Sequence, residues 1–195
     1  MESHEDPRST RSRQALIDAA VELLGQREPT DISVTDLARR AGVSRPTFYQ
    51  HVSGVNELFA AAAISRLTAM LDAIDTLGDD LATVPDAIAA MVSAFAADRE
   101  FFRRALLGPS SHDVFHAAVA LVADRLHTHA LMPIIDASTT MAPADRYEAI
   151  AAAEVWLIGE WLHSDDADDT GRLVQRITDL VFTLAGVTTS PQPSP

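Results

Sequence analysis

An all-α fold in two parts, a three-helix amino-terminal domain followed by a larger helical body, is what this sequence predicts. Three observations predict it. Apolar residues recur at three- and four-residue spacing along most of the chain. No stretch alternates polar and apolar as a half-buried strand does, and no internal repeat is present. Pro85 and Pro143 each stand near the start of a helical segment, as does Pro109, where proline costs little.

In chain order, residues 1–9 are polar and read as a disordered arm. Arg8, Arg11 and Arg13 can reach a phosphate or a minor groove from there; a solvated tail is the alternative reading. A first helix is expected over 10–26, with Leu16, Ala20, Leu23 and Leu24 inward. Ser33 and Asp36 have capping-box spacing. Val34, Leu37, Ala38 and Ala41 then give a short helix its apolar face, and Gly42 ends it in a left-handed turn. Ser44 is the N-cap of a third helix, and Pro46, its second residue, gives up an N–H that has no partner within the helix. Phe48 and Val52 pack inward, leaving Arg45, Thr47, Tyr49, Gln50 and His51 outward. A fourth helix is expected over 56–77, ended by Gly78, Asp79 and Asp80, and five more segments near 84–98, 99–107, 111–132, 143–163 and 170–186. Pro133 stops or kinks the third of these. The tail 187–195 is polar, Pro-rich and expected to be disordered.

A short helix whose outer face carries only groups that hydrogen-bond or stack fits the second helix of a helix-turn-helix, which lies in the major groove. Arg45 can take guanine O6/N7, Gln50 can take adenine, and Thr47 offers a hydroxyl and a methyl. Tyr49, His51, Ser33 and Ser44, with the helix start at Pro46, complete the candidate DNA-binding set, hydroxyls and helix starts being phosphate holders. A helix–Gly–helix corner also occurs in many helical domains that bind no DNA.

Residues 13–20, 33–44 and 47–52 (ArgGlnAlaLeuIleAspAlaAla, SerValThrAspLeuAlaArgArgAlaGlyValSer and ThrPheTyrGlnHisVal) resemble the first helix, second helix with turn, and recognition helix of the tetracycline-repressor (TetR/AcrR) family. The resemblance runs from about Arg13 to Leu58, the first third of the chain; beyond it only length and helical texture match. It implies a DNA-binding domain over 10–55 and a ligand-binding and dimerisation domain over 56–186. It also implies a transcriptional regulator, commonly a repressor, released from a palindromic operator by a small apolar or amphipathic effector. Two departures stand out. Val52 replaces the family's usual Phe, and Gly54, Val55 and Asn56 replace a Ser–Lys–Glu step, so the Lys that holds a phosphate at the fourth helix is absent. Gly25, Gln26, Arg27, Glu28 and Pro29 also replace the usual end of the first helix.

A net charge of −13 is unusual for a DNA binder, but its distribution is uneven. Residues 1–55 hold seven Arg and eight acids, the rest eight Arg and twenty acids. The acidic body is expected to face away from phosphates, and few Arg contacts imply a modest salt dependence. All basic residues are Arg, and Cys is absent, so neither disulfide nor thiolate chemistry is available. No apolar run of membrane-spanning length and no secretory start is seen, and a cytoplasmic location is expected.

In the body, Met70, Met91, Phe95, Phe101, Phe102, Phe115 and Trp156 are large apolar groups. Most fit a packed core; all but Phe101 are also taken as candidates to line a small-molecule cavity, for which Met and flat aromatics are suited. His116 and Glu154 are candidate polar anchors there, or ordinary surface and core polar groups. The last two helices are apolar on more than one face and need partners on two sides. Small Ala149, Ala152, Ala153 and Gly159 permit close approach. The resemblance implies that these helices form a four-helix interface in a homodimer, for which Trp156, Leu173, Ile177, Leu180, Val181 and Leu184 are the further candidates. A homodimer suits a two-fold operator.

No catalytic residue, cofactor or metal site is assigned, and the chain is read as a non-enzyme. The rival readings are a metal-binding sensor or enzyme and an interaction module that has lost DNA binding. His112 and His116 are four apart, His127 and His129 two apart, and Asp165, Asp166, Asp168 and Asp169 cluster, yet no HisGluxxHis or CysxxCys pattern exists. The Asp run fits a capped, solvated loop. Val55 in place of Lys motivates the second rival.

Overall fold

The computed structural model describes residues 7–77, 83–106, 111–128, 142–164 and 169–185. These form nine α-helices and one 3₁₀ turn, with no strand among the described residues. The helices are α1 (Pro7–Gln26), α2 (Val34–Ala41), α3 (Arg45–His51), α4 (Val55–Asp75), α5 (Val84–Ala97), α6 (Arg99–Ala105), α7 (Ser111–Thr128), α8 (Pro143–His163) and α9 (Thr170–Leu184). The 3₁₀ turn, Pro29–Asp31, was not anticipated. Helix α1 begins at Pro7, earlier than expected, so Arg8 and Ser9 are helical rather than part of an arm. A proline's fixed φ suits a first helical turn. Residues 1–6, 129–132, the helix-ending Gly78, Asp79 and Asp80, Pro109, Pro133, His129, Asp165, Asp166, Asp168 and the tail 187–195 lie outside the described residues.

The chain divides into two compact units. The first comprises Met1–Met70 and Asp98–Phe115, the second Leu71–Ala97 and His116–Pro195. This differs from a division at residue 55, because α6 joins the amino-terminal helices. In the first unit α1 packs on α2, α3 and α6, and α2 on α3. Leu16 and Leu24 of α1, Leu37 of α2, Phe48 of α3, Leu58 of α4 and Phe101 of α6 are buried. Each such side chain contributes roughly 1.5–3 kcal/mol by leaving water. Polar contacts fasten α6 to the end of α1. Arg104 donates to the Glu28 carboxylate (2.9 Å) and to the carbonyls of Gly25 (3.0 Å) and Leu24 (3.3 Å), which lack partners within their own helix. Arg103 bridges Glu28 and Glu100, both at 3.0 Å. These guanidinium groups hold both carboxyls below their usual range, hydrogen bonding to Arg104 leading at Glu28 and to Arg103 at Glu100. Arg66 of α4 donates to Asp98, before α6, at 2.8 Å.

In the second unit α9 packs on both α5 and α8. Ile88, Met91, Val92 and Phe95 of α5, Ile150, Ile158 and Leu162 of α8, and Leu173, Ile177 and Val181 of α9 are buried. Arg125 of α7 pairs with Asp72 and Asp75 at the end of α4. The rings of His127 and Tyr147 meet edge to face, centroids 5.6 Å apart. Asp169 caps α9 by accepting from the Arg172 amide at 2.9 Å.

Candidate nucleic-acid interface

The corner between α2 and α3 is built by local chemistry. Ser33 accepts from the Asp36 amide (3.1 Å), and Asp36 accepts in return from the Ser33 amide (3.1 Å) and hydroxyl (2.7 Å). Those Ser33 contacts, the hydroxyl first, hold the Asp36 carboxyl below its ordinary range, helped by Arg27 and Arg39. At the other end Gly42 takes φ 70°, and the Val43 amide bonds the Ala38 carbonyl at 3.0 Å. A Cβ at Gly42 would meet nothing within 4 Å, so conformation rather than space requires glycine. Ser44 accepts from the Thr47 amide at 3.2 Å, and the two hydroxyls lie 2.8 Å apart. Ser33→Ala removes half of the capping box and is expected to cost about 1 kcal/mol. A urea midpoint unchanged from wild type would show that the box adds nothing to stability.

Phe48 points inward at 0% exposure, and Val52, four residues on, is buried as well. Tyr49, 54% exposed, rests edge-on against the Phe48 ring with centroids 5.3 Å apart. Arg45, Pro46 and Gln50 are exposed, Thr47 and His51 half-buried. The outer face of α3 therefore presents Arg45, Tyr49 and Gln50 together. Ser33 and Ser44 are exposed, but their side chains are engaged as caps, and Thr47 shares its hydroxyl with Ser44. Arg40 of α2 pairs with Glu22 of α1, while Arg11 and Arg13 are exposed on α1. At the start of α4 Val55 is the first residue, and Glu57 accepts from the Ser53 amide and hydroxyl, both at 2.7 Å. These bonds, the amide first, hold the Glu57 carboxyl below its usual range. A phosphate approaching this helix start meets a carboxylate and no lysine.

Residues 16–62 match the model of the family described as bacterial regulatory proteins, tetR family, and this span contains the capped α2, the Gly42 turn and α3. Residues 16–62 are a tetR-family segment. Solved structures of similar fold extend over nearly its whole length. One is FadR of Thermus thermophilus, a TetR-family transcriptional repressor in complex with lauroyl-CoA: 17% identity, TM-score 0.68, covering 94% of this chain and 98% of that one. Another is the TetR-family repressor AlkX of a Dietzia species, implicated in biodegradation of n-alkanes: 17% identity, TM-score 0.67, covering 90% and 96%. A third is the TetR-family repressor QsdR of R. erythropolis: 20% identity, TM-score 0.59, covering 92% and 96%. At these identities the likeness establishes the fold alone. No curated protein matches the chain.

Beyond this segment, the body residues singled out from sequence fall in different places. Met70, Phe102 and Phe115 belong to the first unit, Met91, Phe95, His116 and Trp156 to the second. Met91, Phe95 and Phe102 are buried, Met70 and Phe115 half-buried. His116 is exposed because α7 buries Val114, Ala118, Val119 and Val122, and 116 falls on the opposite face. Trp156 is 60% exposed for the same reason on α8, whose buried face carries Tyr147, Ile150, Ala151, Ile158 and Leu162. Ala149, Ala152, Ala153 and Gly159 are half-buried around Trp156. Leu180 and Leu184 are half-buried too, whereas Leu173, Ile177 and Val181 serve the chain's own core and are not on its outside.

Among the described residues Glu154 is the buried carboxyl of this body, 4% exposed on α8. Burial alone pushes it from an ordinary 4.5 up to about 8. Thr178 on α9 was missed, although it follows Ile177 on the face that also buries Leu173 and Val181. Its hydroxyl is buried without a hydrogen-bond partner. His112 is exposed on α7, and no group of three or more metal-ligating side chains occurs among the described residues. No helix among them is long and apolar enough to cross a membrane.

Proposed function

We propose that this protein is a cytoplasmic, homodimeric repressor that reads a two-fold symmetric operator with α3 and releases it on binding a small apolar or amphipathic effector. The observation that carries this reading is the α3 face. Arg45, Tyr49 and Gln50 project outward while Phe48 and the Ser44 cap fix the helix that bears them. In a major groove Arg45 and Gln50 contact base edges, and Tyr49 holds a phosphate. Two copies place their recognition helices about 34–36 Å apart on one side of the duplex. The effector acts through its different affinity for the DNA-binding and the released states. The lauroyl-CoA in the Thermus thermophilus repressor and the n-alkane connection of the Dietzia repressor support an effector with a long apolar part.

The test is selection of a random duplex library by the purified protein at low and moderate salt. A two-fold symmetric motif is expected. Arg45→Ala and Gln50→Ala are expected to relax preference at single positions, each by about 1–3 kcal/mol, while Tyr49→Phe weakens all sequences alike. Equal losses on selected and random DNA for all three variants would sink the base-reading assignment. No enrichment at either salt would favour an interaction module, the reading that Val55 in place of Lys motivates.

For the dimer, the outer face of α8 is the proposed contact, with Trp156 seated among Ala149, Ala152 and Gly159. A buried interface Trp contributes about 2 kcal/mol or more. Trp156→Arg is therefore expected to yield monomers in sedimentation at concentrations where wild type is dimeric. A variant that dissociates no more readily than wild type would remove Trp156 from the interface.

A further inference from the structure

Among the described residues the second unit buries three polar or charged side chains, Arg146, Glu154 and Thr178, and the last two stand without a hydrogen-bond partner. Glu154 is 4% exposed, and neither a hydrogen bond nor a neighbouring charge contributes to its titration; desolvation acts alone. The Thr178 hydroxyl is buried and makes no hydrogen bond. Helix α8 ends at His163 and α9 starts at Thr170, and helices so joined and packed run antiparallel. Glu154 stands nine residues before the end of α8 and Thr178 eight after the start of α9. At about 1.5 Å per residue they lie at nearly the same height in the hairpin. Helix α9 also packs on α5, whose buried residues include Met91 and Phe95.

Each unsatisfied buried polar group costs roughly 1–3 kcal/mol, and such a pair at one level of a helix hairpin calls for a partner. We propose that Glu154 and Thr178 are the polar anchor of the effector site, and that the effector carries a protonated amine on an apolar body. The amine is the head group that satisfies both residues. Its N–H groups donate to the Glu154 carboxylate and to the Thr178 oxygen, and its charge offsets the cost of ionising a buried acid. A carboxylate head could only accept from the proton that buried Glu154 retains and from the Thr178 hydroxyl, and its negative charge would oppose ionisation of Glu154, where an amine favours it. This inference rests on the ligand-responsive reading above and specifies its chemistry.

The test uses the full chain and three probes of one chain length, dodecylamine, dodecanol and dodecanoate, each below its micelle concentration. Binding is followed by calorimetry at neutral pH. Dodecylamine is expected to bind tightest. Glu154→Gln is expected to weaken it by about tenfold or more, and Thr178→Val by less, with dodecanol little changed. Because the body is acidic, Glu148→Gln, an exposed change of the same charge on α8, controls for surface attraction and is expected to leave the affinity unaltered. Dodecanoate binding as well as the amine, or equal losses in the Glu154 and Glu148 variants, would overturn the anchor while leaving a ligand-responsive body intact. Binding of none of the three would overturn the anchor, leave the two groups to interior water, and count against a single-chain amphiphile as effector.

Discussion

Phe48→Ala is expected to abolish operator binding and to lower the stability of the amino-terminal unit by about 3–5 kcal/mol. Helix α3 has only seven residues, far too few to persist without tertiary support. Its support is the Ser44 cap at one end and Phe48, fully enclosed, in the middle. Removing the ring opens a cavity under the helix that carries Arg45, Tyr49 and Gln50, and it takes away the surface on which Tyr49 leans. The loss is a large fraction of the 5–15 kcal/mol by which a domain is typically stable. Denaturant unfolding and duplex binding measured side by side check this. Tyr49→Phe, which keeps the ring contact, is the comparison, and it should unfold like wild type. A Phe48→Ala protein of native stability would mean that α3 is held by something other than its buried ring.

Glu154→Gln is expected to stabilise the protein in the absence of effector, increasingly so as pH rises. Below pH 4.5 the carboxyl is protonated in both folded and unfolded chains, and the variant should gain nothing. Between 4.5 and about 8 the unfolded chain has released a proton that the folded chain retains. Folding then takes up that proton, and stability falls as pH rises, by up to about 1.4 kcal/mol per pH unit. Above about 8 both states are ionised and the penalty stops growing. Over the whole window the effect is on the order of a few kcal/mol. Glutamine carries no such penalty, so the difference between the two unfolding midpoints should widen from pH 5 to pH 8. Parallel curves would place the Glu154 carboxyl in contact with water.

The elements that local chemistry determines were legible in the sequence. Ser33 with Asp36, Gly42, and Ser44 with Pro46 marked the ends of α2 and α3, and helical spacing placed the five later helices to within about two residues at their described ends. What depended on distant partners was not. The guanidinium groups of Arg103 and Arg104 reach Glu28 across 75 and 76 residues, and nothing near either end announces that α6 belongs with α1. Trp156 and His116 show the limit of composition. A large or polar residue on an amphipathic helix attracts a ligand reading, and only its angle to the buried stripe says that it faces out. Thr178 shows the converse, since helical spacing from Leu173, Ile177 and Val181 places it inward although its type does not suggest it.

The clasp of Arg104 on the final carbonyls of α1 bears on how such a protein can be recombined. The backbone leaves the first unit after Met70, returns at Asp98 and leaves again after Phe115. Two of these crossings fall inside the unbroken helices α4 and α7. A reader transplanted as one continuous stretch ending near residue 55 or 70 would arrive without α6, and with Leu24, Gly25 and Glu28 stripped of their arginine partners. For this chain, then, specificity is expected to be exchanged best by replacing the face of α3 within an intact sequence, and a single junction near residue 55 or 70 is expected to cost the amino-terminal unit its α6 contacts.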